Sequence, residues 1–226
     1  MDPPGEIEQN IVPLRNVLCT FVKRNPTIGY CQGMNFIVGN LLKHLNEQES
    51  FWLFTCIVEN ILPLDYYSDM LGILVDQKIF EILLCEKFPK LVAHMQGCNY
   101  QLDLIAFQWL VTLFFSTLQQ DAELFALTAF LLKGQKIIIK IALLIVDFFK
   151  DQIMKAQAFD EIYFIIAKEP MEKITTEILC KLFQDKENKK IKITNSMLVK
   201  LREQVRPEII ENLQESFSHV GLKNNQ

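Results

Sequence analysis

One polar side chain, Gln32, stands out because two glycines bracket it. The stretch "PTIGYCQGMNFIVG" places Gln32 between Gly29 and Gly33, immediately before an apolar run typical of a helix. Glycines at this spacing permit a sharp turn or a close backbone approach. A glutamine does not ionise but carries one acceptor and two donors, so it can orient a water molecule for attack on a phosphoryl group. The alternative is that Gln32 caps backbone groups at a helix-entry turn, and the residues alone leave both interpretations open.

The other residue types that carry chemistry are scattered. His44, His94 and His219 lie far apart, and no histidine is close in sequence to Cys31. The six cysteines show neither CxxC nor Cys/His ligand spacing, so no metal site is predicted. There is no P-loop and no GxGxxG motif. We therefore expect no cofactor, and no enzyme that works with an acid/base pair of its own.

The composition indicates a globular protein and argues against nucleic-acid-binding and membrane-spanning classes. Half of the 226 residues are hydrophobic, and 17 are Phe, which is enough for a sizeable core. The net charge of −4, with no large basic block, argues against a nucleic-acid partner; the one short basic run, 186–192, is expected to be a solvated segment. Scattered cysteines favour a reducing compartment, and we expect a cytoplasmic protein. The two apolar runs "LIAFQWLVTLFF" and "IIIKIALLIVDFF" are shorter than the roughly 20 residues of a membrane-spanning helix, so no transmembrane segment is predicted.

The elements that must position Gln32 are helices. Apolar residues recur at helical spacing along the chain, without sustained strand alternation, which predicts an all-α fold. The run 102–118 is apolar nearly all round and is expected to form one central buried helix. The predicted helices cover 14–22, 34–45, 50–60, 73–87, a short stretch ending at 95, 102–118, 123–133, 137–155, 159–167, 175–183 and 195–214, with "IIIKI" as the one stretch that could be a strand.

The Gln32 motif resembles a known family. "NPTIGYCQGMNFIVGNLL" is similar to the Tyr-x-Gln-Gly-Met glutamine-finger motif of TBC domains, the Rab GTPase-activating proteins. "LRNVLCTFVKRNP" before it and "FWLFTCIVENILPLDYYSDMLGILVDQKIFEILL" after it resemble the neighbouring helices and the Tyr-Tyr-x-x-Met-x-Gly turn of the family. "FPKLVAHM", "FQWLVTLFF" and "LLKGQKIIIKIALLIV" resemble its later helices. The resemblance covers 11–183 and implies a multi-helix TBC architecture.

The resemblance implies a mechanism that uses two fingers. A TBC domain inserts a glutamine, here Gln32, and an arginine into the nucleotide site of a GTP-bound Rab-type small GTPase. The glutamine positions the attacking water, and the arginine neutralises charge on the transferred phosphoryl group. Gly29 and Gly33 would allow close approach, Tyr30 and Met34 would pack beneath the loop or touch the GTPase, and Arg24 would contact an acidic surface of the GTPase or be a plain surface charge.

This chain departs from the family in the arginine half of that mechanism. The family's arginine finger belongs to an Ile-x-x-Asp-x-x-Arg-Thr motif upstream of the matched region, and nothing in "MDPPGEIEQNIVPL" resembles it. The first arginine, Arg15, has a spacing that suits a solvated helix face. Where the family has Trp-Asp, this chain has Leu127 and Thr128, so the carboxylate that helps to hold the arginine finger is missing. Either catalysis has been lost, or the first helices lie outside this sequence.

Three segments and two functions are therefore expected. We predict an N-terminal tail at 1–10, a TBC domain at 11–183 without its arginine-finger helices, and a linker with a helical extension at 184–226. The apolar side of that extension, which comprises Met197, Leu198, Leu201, Val205 and Ile209, is expected to pack back on the domain or to bind a partner. The protein would stimulate GTP hydrolysis by a Rab-type GTPase. The alternative is an inactive TBC scaffold within a larger assembly, peripheral to membranes or cytoskeletal.

Overall fold

The computed structural model describes residues 4–100, 103–185 and 191–223, which are helical with no strand in those ranges. The elements follow one another along the chain as α1 (Pro4–Arg24), α2 (Met34–Leu42), α3 (Glu47–Cys56), a π-helical turn (Ile57–Ile61, the π turn), α4 (Leu71–Lys87), α5 (Pro89–Gly97), α6 (Asp103–Val111), α7 (Gln120–Lys133), α8 (Lys136–Ile153), α9 (Phe159–Ala167), α10 (Glu169–Lys173), α11 (Thr176–Gln184) and α12 (Asn195–Lys223). The prediction of an all-α fold is confirmed.

The first helix begins earlier than its apolar pattern indicates. α1 starts at Pro4, so the predicted tail is helical from its fourth residue onward. Proline suits the first turn of a helix because the N–H that it lacks has no intrahelical partner there. α1 then packs against α2 and α3, and it buries Phe21 edge-on against Phe54, with ring centroids 4.7 Å apart.

The predicted central helix over 102–118 is wrong at its C-terminal end. α6 stops at Val111, and turns follow through residue 117. Leu113 and Phe114 take left-handed φ angles of 51° and 69°, and the Phe114 N–H donates to the Trp109 carbonyl oxygen at 3.0 Å. Phe114 is fully buried, with its ring 5.6 Å from that of Trp109. An apolar run without polar interruption is compatible with a buried turn as well as a buried helix, so the pattern could not show where the helix ends.

α8 is the helix at the centre of the fold. It contacts α4, α5, α6, α7, α9 and α11, and most of its side chains are buried. The "IIIKI" stretch lies within this helix, which resolves the ambiguity of its β-branched residues. Gly134, with a φ of 78°, ends α7 and turns the chain into α8.

The C-terminal helix α12 packs against α4, as its apolar side predicts. Leu198 and Val205, on the apolar side of α12, are buried. Arg202 donates from Nε and Nη2 to the two carboxylate oxygens of Asp76 on α4, at 2.7 and 2.6 Å. Of the basic run 186–192, residues 186–190 lie outside the described part of the chain.

Candidate functional site

Gln32 lies in the loop that joins α1 to α2. The loop leaves α1 in a tight turn, in which the Asn25 carbonyl oxygen accepts from the N–H groups of Ile28 and Gly29 at 3.2 and 3.0 Å. Gly29 has a φ of 68°, in the left-handed region that other residues rarely occupy. A Cβ at Gly29 would meet no atom of the described residues within 4 Å, its two chain neighbours aside. The backbone conformation, not lack of space, therefore requires this glycine.

Gly33 is required for two reasons. Its φ is 118°, and a Cβ there would lie 2.9 Å from Val111 Cγ2 and 3.0 Å from the Val111 carbonyl oxygen. That same oxygen accepts a hydrogen bond from the Tyr67 hydroxyl at 3.0 Å, so it cannot easily move away. The start of α2 is thus seated directly on the end of α6, which fixes the loop from beneath.

The side chain of Gln32 points outward from this seat. It is exposed, and its amide makes no hydrogen bond to any residue that the structure describes. The N-terminus of α2 has no side-chain cap, so the interpretation of Gln32 as a helix cap is not supported. Gln32 lies at a cleft of about 440 Å³. The other residues that line this cleft are Gly33, Phe36, Met70, Phe107, Gln108, Val111 and Thr112.

Two further hydrogen bonds of the loop involve a residue that the sequence did not single out, Asn35. Asn35 Oδ1 accepts from the Gly33 N–H at 3.2 Å and from the Tyr30 hydroxyl at 3.3 Å. Asn35 therefore joins both ends of the segment that carries Gln32. An asparagine in the first turn of a helix is a common feature of sequences, so its spacing alone carried no signal.

Inward and outward side chains alternate around Gln32. Met34 and Cys31 are buried, and the Cys31 N–H lies 3.4 Å from Met34 Sδ. Burial raises the pKa of the Cys31 thiol, which suits a small apolar core residue and not a nucleophile. Tyr30, by contrast, is 54% exposed beside Gln32. Of the two residues expected to pack beneath the loop or touch a partner, Met34 lies beneath it and Tyr30 faces outward.

Arg24, the last residue of α1, is tied to the π turn. Its Nε and Nη2 donate to Glu59 Oε1 and Oε2 at 2.9 and 3.2 Å, and its guanidinium lies 5.6 Å from the centre of the Trp52 ring. The hydrogen bond from Arg24 lowers the pKa of Glu59. The sequence did not indicate Glu59 or Trp52, because they follow Arg24 by 35 and 28 positions and no motif links them.

The remaining arginines are distant from Gln32 or paired elsewhere. Arg15 is exposed on α1, about 14 Å along the helix axis from Arg24. Arg202 pairs with Asp76, and Arg206 pairs with Asp65. The chain thus contains four arginines, all in the described ranges, and Arg24, the one adjoining the loop, is engaged by Glu59.

Leu127 and Thr128 on α7 occupy the positions at which the family carries Trp-Asp. Leu127 is buried, and Thr128 is exposed, with its hydroxyl donating to the Leu124 carbonyl oxygen of the same helix at 2.8 Å. No carboxylate stands at this position to orient an arginine.

In the part of the chain that the structure describes, no three His, Cys, Asp or Glu side chains are grouped to hold a metal ion. None of the described helices combines the length and apolarity needed to cross a bilayer.

Comparison with known proteins identifies the family. The family model of the Rab-GTPase-TBC domain matches residues 6–154. TBC1 domain family member 2A from Rattus norvegicus is 42% identical over 152 residues, and member 2B from Homo sapiens is 38% identical over 150 residues. Each alignment covers 66% of this chain, but the chain spans only 16% of either relative's length. The wider domain range 11–183 stays a prediction.

Solved structures agree with this family. A crystal structure of the Chlamydomonas flagellar RabGAP TBC domain superposes with a TM-score of 0.70 at 25% identity, covering 78% of this chain and 60% of that one. The Ypt/Rab-GAP domain of Gyp1p superposes with a TM-score of 0.61 at 21% identity, covering 76% of this chain and 63% of that one, and shows the shared fold alone. On the family match and the fold together, the chain belongs to the Rab-GTPase-TBC domain family.

Proposed function

We propose that this protein binds a GTP-bound Rab-type small GTPase through the surface around Gln32 and stimulates its GTP hydrolysis. The observation that carries the proposal is the placement of Gln32: an exposed amide, with no hydrogen-bond partner in the described part of the chain, held between two glycines of positive φ. The class of partner comes from the family and from the Rab-GAP domains to which this chain is similar.

Gln32 would act by orientation. Its Oε1 would accept a hydrogen bond from the attacking water, and its Nε2–H groups would donate to oxygens of the water or the transferred phosphoryl group. The amide has no pKa near neutrality, so it would hold the water in line without removing a proton. Reacting groups held at attack distance gain rate because the ordering entropy has already been lost. A loop already seated on α6 before the partner arrives would supply that ordering.

The residues around Gln32 would form the contact surface. The backbone at Gly29 and Gly33 would let the GTPase approach closely, and exposed Tyr30 would touch it directly. Met34 would act from beneath by supporting the loop. Arg24 keeps half of its side chain exposed despite its pair with Glu59, so it would meet an acidic surface of the GTPase as part of that pair.

A second candidate function is binding without catalysis. Arg24 is engaged by Glu59, and Thr128 offers no carboxylate to hold an arginine finger. Without an arginine at the nucleotide, a factor of about 10³–10⁵ in hydrolysis rate would be missing. Such a protein would bind a Rab-type GTPase as a scaffold within a larger assembly, at a cytoplasmic membrane surface in vesicle trafficking or on the cytoskeleton.

The test combines hydrolysis with binding. A panel of GTP-loaded Rab-type GTPases would be assayed with the wild-type protein, with Gln32→Ala, and with the control Gln204→Ala, which removes an exposed glutamine on α12. We expect one or more Rabs to hydrolyse GTP faster, with Gln32→Ala but not Gln204→Ala strongly reducing the acceleration. Binding without acceleration would support the scaffold. A panel in which no GTPase binds would overturn both.

A further inference from the structure

We propose that Glu59 is a positioning residue for Gln32, holding the first anchor of the loop that carries it. This inference rests on the proposed function, because positioning matters only if Gln32 acts on a bound GTPase. Glu59 itself lies on the π turn and does not border the cleft beside Gln32.

The carboxylate of Glu59 accepts hydrogen bonds from the last residue of α1 and from the first residue of the loop. Glu59 Oε1 accepts from Arg24 Nε and from Asn25 Nδ2, each at 2.9 Å, and Oε2 accepts from Arg24 Nη2 at 3.2 Å. Arg24 is the last residue of α1, and Asn25 is the first residue of the loop. Three hydrogen bonds, two of them with an ionic component, therefore fix where the helix ends and in which direction the chain leaves it.

Asn25 connects Glu59 to Gly29, the glycine on the N-terminal side of Gln32. Its side chain is held by Glu59, while its backbone oxygen accepts from the Gly29 N–H at 3.0 Å. Gly29 is the residue whose left-handed φ redirects the chain three positions before Gln32. Glu59 thus acts on Gln32 from one end of the loop, whereas Gly33, seated on α6, acts from the other.

Glu59 is the middle residue of the π turn, Ile57–Ile61. Single π turns are rare in helices and are found frequently at functional sites. Here the Leu62 N–H donates to the Ile57 carbonyl oxygen at 2.9 Å, and the carbonyl oxygen of Ile61 accepts from the Gln135 side chain. The irregular turn is therefore supported from the α7–α8 connection while it presents Glu59 to α1.

The pair is too exposed for stability to be its main contribution. The side chain of Arg24 is 46% exposed and that of Glu59 25% exposed. Exposed ion pairs contribute little to the free energy of unfolding. A loop displaced by a fraction of an ångström, in contrast, changes the rate of a reaction that depends on orientation by far more. These two expectations separate a positioning role from a structural one.

The first measurement follows hydrolysis and binding separately. Glu59→Ala should lower the maximal acceleration of GTP hydrolysis at saturating protein by about 10- to 100-fold, while the Kd for the GTPase changes by less than about threefold. Glu59→Gln, which can still accept from Asn25, should retain an intermediate rate. The matched control is Glu177→Ala, which breaks an exposed ion pair with Lys181 on α11 and should leave the rate unchanged. An undiminished rate in Glu59→Ala would overturn the proposal.

Combining Glu59→Ala with Gln32→Ala tests whether Glu59 acts through Gln32 or supports the domain in general. If Glu59 acts through Gln32, then Glu59→Ala should have no further effect on hydrolysis once Gln32 is alanine. Equal losses in the wild-type and Gln32→Ala backgrounds would instead show that Glu59 supports the domain in general, and would overturn the proposal.

The second measurement does not need a GTPase. In the free protein, the Gly29 amide should exchange its hydrogen about tenfold faster in Glu59→Ala than in the wild type, while amides of α8 keep their rates. If the wild-type protein accelerates no GTPase but this difference is present, the proposed function fails while the control of the loop by Glu59 stands. Unchanged exchange at Gly29 would overturn the positioning role whatever the hydrolysis assay shows.

Discussion

Two arginine–carboxylate pairs with the same pattern of donors and acceptors join different helices of this fold. Arg24 and Glu59 join α1 to the π turn, and Arg202 and Asp76 join α12 to α4; in each pair, Nε and Nη2 of the arginine donate to the two carboxylate oxygens. The first pair is partly exposed, whereas the side chains of Arg202 and Asp76 are only 13% and 4% exposed. Their surroundings, not their geometry, distinguish what each pair does.

The pKa values of the two carboxylates are shifted in opposite directions, which reflects the difference in their surroundings. Beside the Gln32 loop, the hydrogen bond from Arg24 outweighs burial, and the pKa of Glu59 is lowered. At α12, burial outweighs the hydrogen bonds from Arg202, and the pKa of Asp76 is raised. A buried pair of this kind adds little compared with an apolar contact, but breaking it leaves a charge without water or a partner. The exposed pair can be broken without that penalty.

The largest effect is therefore expected at the buried pair. Arg202→Ala leaves Asp76 buried with its charge unmatched and should lower the free energy of unfolding by about 3–5 kcal/mol. Chemical denaturation checks this. The double variant Asp76→Leu with Arg202→Met, which removes both charges, should recover most of the loss. A loss below about 1 kcal/mol in Arg202→Ala would mean that water reaches Asp76 and that the two pairs do not differ as described.

The second prediction compares the two glycines beside Gln32. Gly33→Ala combines a left-handed φ with a Cβ 2.9 Å from Val111, and should lower the free energy of unfolding by about 3 kcal/mol. Gly29→Ala has the same kind of φ but open space, and should lower it by about 1 kcal/mol. Thermal or chemical unfolding of both variants gives the comparison. Equal losses would show that the seat of α2 on α6 yields easily.

The sequence predicted local features well and long-range partners poorly. The spacing of Gly29 and Gly33 predicted a special loop at Gln32, since φ requirements are local. The contact of Gly33 with Val111 was not predictable, because it depends on where α6 ends, and the apolar run there has no stop signal. Glu59 and Asp76 look like ordinary helical acids in the sequence. Their arginines are 35 and 126 positions away, and only the packing of helices brings them together.

A third carboxylate, Glu123 on α7, tests what burial does without an arginine. It is buried and accepts from Asn40 Nδ2 on α2 at 2.6 Å, while Asn40 Oδ1 has no hydrogen-bond partner among the residues that the structure describes. Burial raises the pKa of Glu123 to about 7, opposed by the nearby charge of Lys43 and by the Asn40 bond.

The sign of the pH dependence follows from that raised pKa. The folded protein holds the Glu123 proton more tightly than the unfolded chain, in which the pKa is about 4.5. The stabilisation is therefore complete below pH 4.5 and is lost as the pH rises through about 7. Glu123→Gln, which stays neutral, should match the wild type at pH 5 and exceed its free energy of unfolding by about 2–3 kcal/mol at pH 8. Glu177→Gln on α11 is the control, and equal pH profiles for wild type and Glu123→Gln would contradict the assignment.

The smallest effect on stability is expected at the exposed pair beside Gln32. Arg24→Ala should change the free energy of unfolding by about 0.2–1 kcal/mol, and less in 1 M salt, because solvent and ions already screen both groups. Exchanging the two residues, as Arg24→Glu with Glu59→Arg, should restore that energy in part. The exchange should not restore GTP hydrolysis fully, since Asn25 would then face a donor in place of the carboxylate that accepts its hydrogen bond. If Arg24→Ala destabilises the protein as much as Arg202→Ala does, both pairs are structural. If Arg24→Ala destabilises it little but lowers the rate of GTP hydrolysis strongly, the two pairs differ in role. An arginine–carboxylate pair then stabilises the fold where it is buried and orients a loop where it is exposed.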